Sequence, residues 1–165
     1  MAADSLGTAA GEALTHKTPK IFIRKPYIIG HAGGVRSGQI VQFCCDLPAP
    51  PKNPKDLMRF MVKDFANVIR KGLEEAGNME KYQGTREESM AESLVGVHGH
   101  IFRLFVDFSV YESEHEFDAI GSGGAYAIGA MAVLKGSAQN RVVKAVEVSS
   151  MFAAGVRGPI NYASI

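Results

Sequence analysis

The sequence predicts an α+β fold in which paired helices cover antiparallel sheet. The predicted elements follow the order strands, two helices, strands, two helices, strand, whereas chains with parallel sheet alternate strand and helix one by one. The chain has 165 residues, of which 46% are hydrophobic and 21% are charged. This length and composition are typical of one globular domain with a substantial core. We therefore predict a single domain that spans residues 1–165.

Charge and cysteine content exclude several classes of protein. Lysine and arginine number 18 against 17 acidic residues, so the net charge of +1 attracts neither nucleic acid nor an anionic membrane. No apolar run approaches the roughly 18 residues that cross a bilayer, and the first residues do not form a signal peptide. Cys44 and Cys45 are adjacent and cannot form an ordinary disulfide, which indicates a reducing compartment. We expect a cytoplasmic protein without a nucleic-acid or membrane partner.

The first third of the chain predicts short strands and one helix. The first eighteen residues are small and polar, and they indicate a loop, or a strand stub followed by a loop. Two strands, residues 20–24 and 27–34, are rich in β-branched and aromatic residues and flank a tight turn at Pro26. A helix beginning near Ser37 ends before a stiff proline-rich connector. Its two cysteines are expected to be buried, inert thiols.

The most regular helical pattern follows that connector. Asn53 and Pro54 are typical of a helix N-cap and first helical position. Apolar residues then recur at helical spacing, and Gly77 is placed to end the helix. Residues 78–92 are polar and charged and are expected to form a surface loop.

The second half predicts two more strands, two helices and a final strand. The strands are residues 94–97 and 101–108, about a turn near Gly99, and an acidic loop follows at 112–118. Ser122 is placed to cap a helix that is apolar nearly all round and is therefore expected to be buried on several sides. Residues 141–154 are ambiguous between strand and helix, and we favour helix. Residues 158–165 are expected to form the last strand.

Two other motifs carry little chemistry by themselves. His98 and His100 could share one face of a strand, but no further ligand stands at metal-binding spacing, so no metal is expected. The glycine-rich segment 121–124 could hold a phosphate at a helix N-terminus, although it lacks the lysine of a P-loop. A nucleotide-binding domain that uses this segment stays open as an alternative.

Four motifs in order carry a resemblance that covers nearly the whole chain. They are residues 1–5 (Met-Ala-Ala-Asp-Ser), Lys20 sixteen positions after Asp4, residues 26–34 (Pro-Tyr-Ile-Ile-Gly-His-Ala-Gly-Gly), and residues 121–127 (Gly-Ser-Gly-Gly-Ala-Tyr-Ala). With these motifs the sequence resembles the N-terminal-nucleophile hydrolases of the proteasome β-subunit and HslV type. The resemblance also supports the helix after Arg141.

The resemblance implies a four-layer αββα sandwich with two antiparallel sheets, and amide hydrolysis by an N-terminal threonine. In that family the threonine's own α-amine accepts the proton from its hydroxyl. By the resemblance, Lys20 would hold the amine in its basic form and Asp4 would orient Lys20. The Gly34 amide would bind the oxyanion, and Ser122 would assist proton transfer. No cofactor is implied.

The sequence departs from the family pattern at the nucleophile. Family members carry about a dozen residues before the segment that matches Met1, beginning with the threonine. Positions at which β-subunits place an aspartate and a serine correspond to Ala153 and Val156 here. Two explanations stay open: the sequence is a fragment of a threonine-type peptidase, or it is a non-catalytic ring-forming or binding subunit of the same fold. The resemblance implies three kinds of partner: a peptide or protein substrate, copies of the chain in a ring, and an ATPase.

Overall fold

Eleven strands and five α-helices build the structure, a computed structural model that describes residues 1–9, 12–82 and 86–165. The strands are β1 (Ala2–Ala3), β2 (Leu6–Ala9), β3 (Glu12–Thr15), β4 (Ile21–Arg24), β5 (Tyr27–Gly33), β6 (Met79–Tyr82), β7 (Arg86–Ser89), β8 (Ala91–Val97), β9 (His100–Leu104), β10 (Val110–Glu112) and β11 (Asn161–Tyr162). The helices are α1 (Val35–Phe43), α2 (Leu57–Phe60), α3 (Ala66–Glu75), α4 (Gly124–Val133) and α5 (Ala138–Phe152). No helix in this part of the chain is long and apolar enough to cross a membrane.

The largest sheet has five antiparallel strands in the order β10-β9-β8-β5-β4. In its middle, Ile29 of β5 lies opposite Phe22 of β4 and Val95 of β8. Side chains alternate between the two faces of a strand, so Ile29 enters the core beneath α1–α3 while Ile28 lines a cavity on the other face. Both faces of this sheet are therefore apolar, as they are in a sheet covered on both sides.

Helices α1, α2 and α3 cover one face of the sheet and bury the main core. Asn53 caps the second helical segment as predicted, because its Oδ1 accepts a hydrogen bond from the Lys55 amide at 3.2 Å. A 3-10 turn (Pro54–Asp56) precedes α2, and a π-helical turn (Met61–Phe65) joins α2 to α3. The Tyr27 and Phe65 rings pack at the centre of this core, with centroids 5.2 Å apart.

Helices α4 and α5 pack against each other and form a second, smaller apolar cluster. Its buried members are Ala127, Met131 and Ala145. The expectation that α4 is buried on several sides is wrong for this chain, because α4 packs through one narrow face. On its other faces Val133 is 76% exposed and Tyr126 stacks on Phe152, with ring centroids 5.6 Å apart.

A short two-stranded pair, β1 with β11, lies beside α5. Ala2 is opposite Tyr162 and Ala3 is opposite Asn161. Within the described residues β1 pairs with no other strand, so its second edge is free. The second antiparallel sheet that the sequence predicts has two strands here, β1 and β11. The fold is α+β, with helices on both outer sides.

Several local predictions were wrong because they relied on residue composition. Residues 78–92 contain a hairpin, β6 with β7, instead of a loop, and the first eighteen residues contain the hairpin of β2 with β3. Residues 10–11 and 83–85 of these predicted loops lie outside the described residues. Ser122 does not cap α4, whose N-cap is Gly123. Cys44 is exposed, whereas Cys45 is buried and burial raises the pKa of its thiol to about 11.

Phe65 fills the centre of the main core, and its removal should destabilise the fold. We expect Phe65→Ala to lower the free energy of unfolding by about 3–5 kcal/mol, because a fully buried aromatic ring is replaced by a cavity. Urea denaturation followed by circular dichroism measures the change. Phe43→Ala is the matched control, since Phe43 is 65% exposed at the end of α1. A similar loss in both variants would contradict this description of the core.

Candidate active site

Asp4 and Lys20 form an ion pair at the junction of β1 and β4. Lys20 Nζ lies 2.9 Å from Asp4 Oδ1, and the two side chains are only 21% and 12% exposed. The other carboxylate oxygen, Oδ2, accepts the Leu6 amide at 2.9 Å and the Arg157 amide at 3.4 Å. Two residues sixteen positions apart are therefore in contact, as the family resemblance implied. Their role in chemistry stays a prediction.

A cavity of about 1180 Å³ separates the five-stranded sheet from α4 and α5. All four predicted site residues line this cavity: Asp4, Lys20, Gly34 and Ser122. Its sheet wall is apolar and includes Ile21, Ile28 and Leu94; its helix wall includes Ala127, Met131 and Ala145. The structure thus places the polar site residues around one mostly apolar space.

The amide of Gly34 is engaged in the sheet. Gly34 N–H donates to the Met90 carbonyl oxygen at 2.7 Å, so in this structure it points toward β8. The predicted oxyanion donor is therefore already occupied.

The neighbouring amide, of Gly33, points the other way. His31 N–H donates to the Lys20 carbonyl at 3.0 Å on the β4 side, and amide directions alternate along an antiparallel strand. The Gly33 amide consequently lies on the Lys20 side of β5. Only glycine suits this position, because its φ is +109° and a Cβ would lie 2.6 Å from the Met90 carbonyl oxygen.

Ser122 lies on the turn before α4 and is exposed toward the cavity. Its Oγ is close to the backbone of Gly155, where an added Cβ would come within 2.6 Å of that oxygen. No hydrogen bond joins Ser122 to Asp4 or Lys20 in the described chain. The structure therefore brings Ser122 to the same cavity as the ion pair but not into contact with it.

Three side chains of this region were not predicted as site residues. Glu92 of β8 accepts the Gly121 amide through Oε1 at 2.9 Å and binds Arg103 through Oε2 at 2.7 Å. His31 packs against Gly38 of α1. The composition of residues 78–92 predicts a surface loop, and that loop includes Glu92. The charged Arg103 inside an apolar strand was a signal that could have indicated an acidic partner.

In the described residues, the glycine-rich segment 121–124 lacks the features of a phosphate site, and the pair His98 and His100 lacks those of a metal site. Glu92 places a carboxylate on the Gly121 amide, and that negative charge opposes a phosphate at this helix entry. His100 Nδ1 lies 2.7 Å from Glu112 Oε1. Across the described ranges, no group of three or more His, Cys, Asp or Glu side chains could hold a metal ion.

Comparison with solved structures identifies the fold. BPH of Thiobacillus denitrificans, a bacterial proteasome homologue, superposes with a TM-score of 0.77 at 22% identity in its complex with epoxomicin. A second structure of that protein gives 0.76 at 20% identity. The chain has a proteasome-like fold. HslV from Trypanosoma brucei matches with a TM-score of 0.62 at 18% identity.

Each of the three alignments covers 97% of this chain and 88% of the matched chain. They confirm the fold that the sequence motifs predicted, and at these identities they show the fold alone. No protein-family model matches the chain, and no curated protein sequence matches it either.

His31 makes the stability of the proteasome-like fold depend on pH. Burial, with contributions from Lys20 and His16, lowers the pKa of His31 to about 4 from an ordinary value of about 6.5. The unfolded chain therefore takes up this proton first as pH falls. Above pH ~6.5, His31 does not lower the free energy of unfolding. Between pH ~6.5 and pH ~4, this one group lowers the free energy of unfolding by about 3 kcal/mol.

We expect His31→Asn to remove this component of the pH dependence. The free energy of unfolding of both proteins, measured by urea denaturation from pH 7.5 to 4, gives the difference directly. His115→Asn, at an exposed histidine, is the control and should keep the original slope. Equal slopes for His31→Asn and the unmodified protein would contradict the assignment.

Proposed function

We propose that this chain is the body of a threonine-type amide hydrolase that acts on peptides or proteins. The observation that carries the proposal is the Asp4–Lys20 ion pair, set at a cavity that Gly33 and Ser122 also line. A mostly buried lysine that contacts a carboxylate places positive charge in the cavity. Such a charge lowers the pKa of a neighbouring amine. The fold shared with BPH and HslV supports the same class of activity.

The chemistry requires an amine that is neutral near pH 7. An α-amine has a pKa near ~8 and is a workable base, whereas a lysine amine near ~10.4 stays charged. Lys20, held by Asp4, would keep its charge and favour the neutral form of an adjacent α-amine. That amine accepts the hydroxyl proton while the hydroxyl oxygen attacks the substrate carbonyl carbon. The C–N bond then breaks, the leaving nitrogen takes the proton, and water hydrolyses the resulting ester.

The nucleophile would be carried by a further strand beside β1. β1 has a free edge in the described chain, and the adjacent cavity has apolar walls on both sides. An antiparallel strand added at this edge would form hydrogen bonds with the backbone of β1 and fill the adjacent cavity. Thr8 is not the candidate, because it lies within the hairpin of β2 and β3 opposite Ala13, beyond Asp4.

The oxyanion donor in this proposal is Gly33. By the alternation of amides along β5 its N–H would face the side on which Lys20 lies, whereas the Gly34 amide donates to the Met90 carbonyl oxygen. A glycine also lets a substrate carbonyl approach the backbone closely. Ser122 lines the same cavity, and in this proposal it would exchange a proton with the amine through its hydroxyl or a water molecule.

Assembly of several copies belongs to the same proposal. The resemblance to proteasome β-subunits and HslV implies a ring of identical subunits in the cytoplasm, with an ATPase as a further partner. Exposed apolar residues on α4 and α5, such as Val133 and Phe152, are consistent with a surface that another subunit covers.

The N-terminus of the mature protein tests the proposal most directly. We expect mass spectrometry of the protein from its natural source to find a threonine that begins a strand ahead of Met1. Epoxomicin, which is bound in the BPH structure, should then add its mass to that threonine. A mature protein that begins at Met1 or Ala2 and hydrolyses no peptide would support the non-catalytic subunit instead.

Lys20 should be essential for hydrolysis in the threonine-bearing protein. We expect Lys20→Ala to lower kcat/KM for a fluorogenic peptide by about 10²-fold or more, because the amine then loses the neighbouring charge. Lys17→Ala is the matched control, since Lys17 also lines the cavity and should affect kcat/KM little. Equal losses in the two variants would count against the proposed role of Lys20.

A further inference from the structure

Glu92 links the five-stranded sheet to the turn that carries Ser122. Its Oε2 accepts two hydrogen bonds from Arg103, from Nε at 3.1 Å and from a terminal guanidinium nitrogen at 2.7 Å. Its Oε1 accepts the amide of Gly121, the residue before Ser122, at 2.9 Å. Both carboxylate oxygens are thus used, one toward the sheet and one toward the turn.

Arg103 holds this carboxylate in place from the neighbouring strand. Arg103 lies opposite Leu94, so Glu92 and Arg103 are diagonal neighbours on the cavity face of β8 and β9. The guanidinium also packs over the Phe105 ring, 4.7 Å from its centroid. The side chains of Arg103 and Glu92 are 27% and 19% exposed, so the pair is only partly screened by water.

The turn itself has little freedom once the Gly121 amide is held. Gly121 has a φ of +82°, and an added Cβ would lie 2.9 Å from the Ala32 side chain. Beyond Ser122, the buried Ser149 Oγ lies 3.0 Å from the Gly123 carbonyl oxygen and 2.9 Å from the Ala145 carbonyl oxygen, and these two acceptors share its one proton. Ser122 is therefore held chiefly from the Gly121 side, by Glu92.

We propose that Glu92, oriented by Arg103, is a positioning residue that fixes Ser122 over the cavity. Its part in catalysis rests on the proposed function, whereas the clamp itself does not. The carboxylate touches neither substrate nor nucleophile in this scheme; it acts through the backbone of Gly121. Glutamine has a single acceptor oxygen, so Glu92→Gln can accept a hydrogen bond from Gly121 or from Arg103 but not from both, and it therefore keeps one of the two contacts.

Hydrogen exchange of the Gly121 amide tests the clamp in the chain as given. We expect Glu92→Ala to accelerate this exchange about tenfold or more, and Glu92→Gln, which keeps one of the two contacts, to accelerate it less. The Val95 amide, on the same strand, should be unaffected, and Glu114→Ala removes an exposed carboxylate as the control. Unchanged exchange in Glu92→Ala, or equal acceleration in both Glu92 variants, would overturn the proposal.

If Glu92→Ala does not fold, Arg103→Met gives the same test from the partner side. It leaves the Glu92 carboxylate in place but removes its anchor, so Gly121 exchange should again rise while Val95 exchange does not. An unchanged Gly121 rate in this variant would also overturn the clamp.

Kinetics of the threonine-bearing protein separate positioning from simple stability. There we expect Glu92→Ala to lower kcat about tenfold with KM nearly unchanged, and Glu92→Gln to restore part of kcat. A fall in kcat that Glu92→Gln does not rescue would overturn the positioning role. If that protein hydrolyses no peptide at all, the proposed function fails, while the exchange result still decides the clamp.

Discussion

The ion pair between Asp4 and Lys20 determines how the two halves of this molecule meet. Asp4 follows the short strand beside α5, and Lys20 begins the edge strand of the large sheet, with the β2–β3 hairpin between them. The contact of 2.9 Å joins two mostly buried charges, whose desolvation offsets much of their attraction. Breaking it would leave a buried carboxylate with only amide donors. The cavity and the direction of the Gly33 amide therefore have a fixed relation to the lysine charge.

Periodic segments with clear start and stop signals were predictable from the sequence. Asn53–Pro54 and Gly77 bound a helical region whose apolar spacing leaves no competing interpretation. The strands around Pro26 and Gly99 combine β-branched residues with turn residues, and both pairs are present. The helix after Arg141 was favoured from its sequence and supported by the family resemblance, although its valines also suit a strand.

Segments that depend on partners elsewhere in the chain were not predictable. Residues 78–92 are polar enough for a loop, yet backbone pairing makes them a hairpin that leads into β8. The contact of Asp4 with Lys20 was implied by the family resemblance, but the choice between the Gly33 and Gly34 amides was not. That choice depends on which neighbouring strand each peptide group faces, and no residue type encodes it. Likewise Glu92 gained its partners only through the register of β8 and β9.

The two apolar clusters differ greatly in size, and the consequence concerns motion. The sheet with α1–α3 contains nearly all of the large buried side chains, whereas α4 and α5 share a few small ones. Opening of the smaller unit exposes less apolar surface, so it requires less free energy than global unfolding. The cavity beside the ion pair lies between this smaller unit and the large sheet. Local opening of α4 and α5 would therefore change access to the cavity while the main core stays folded.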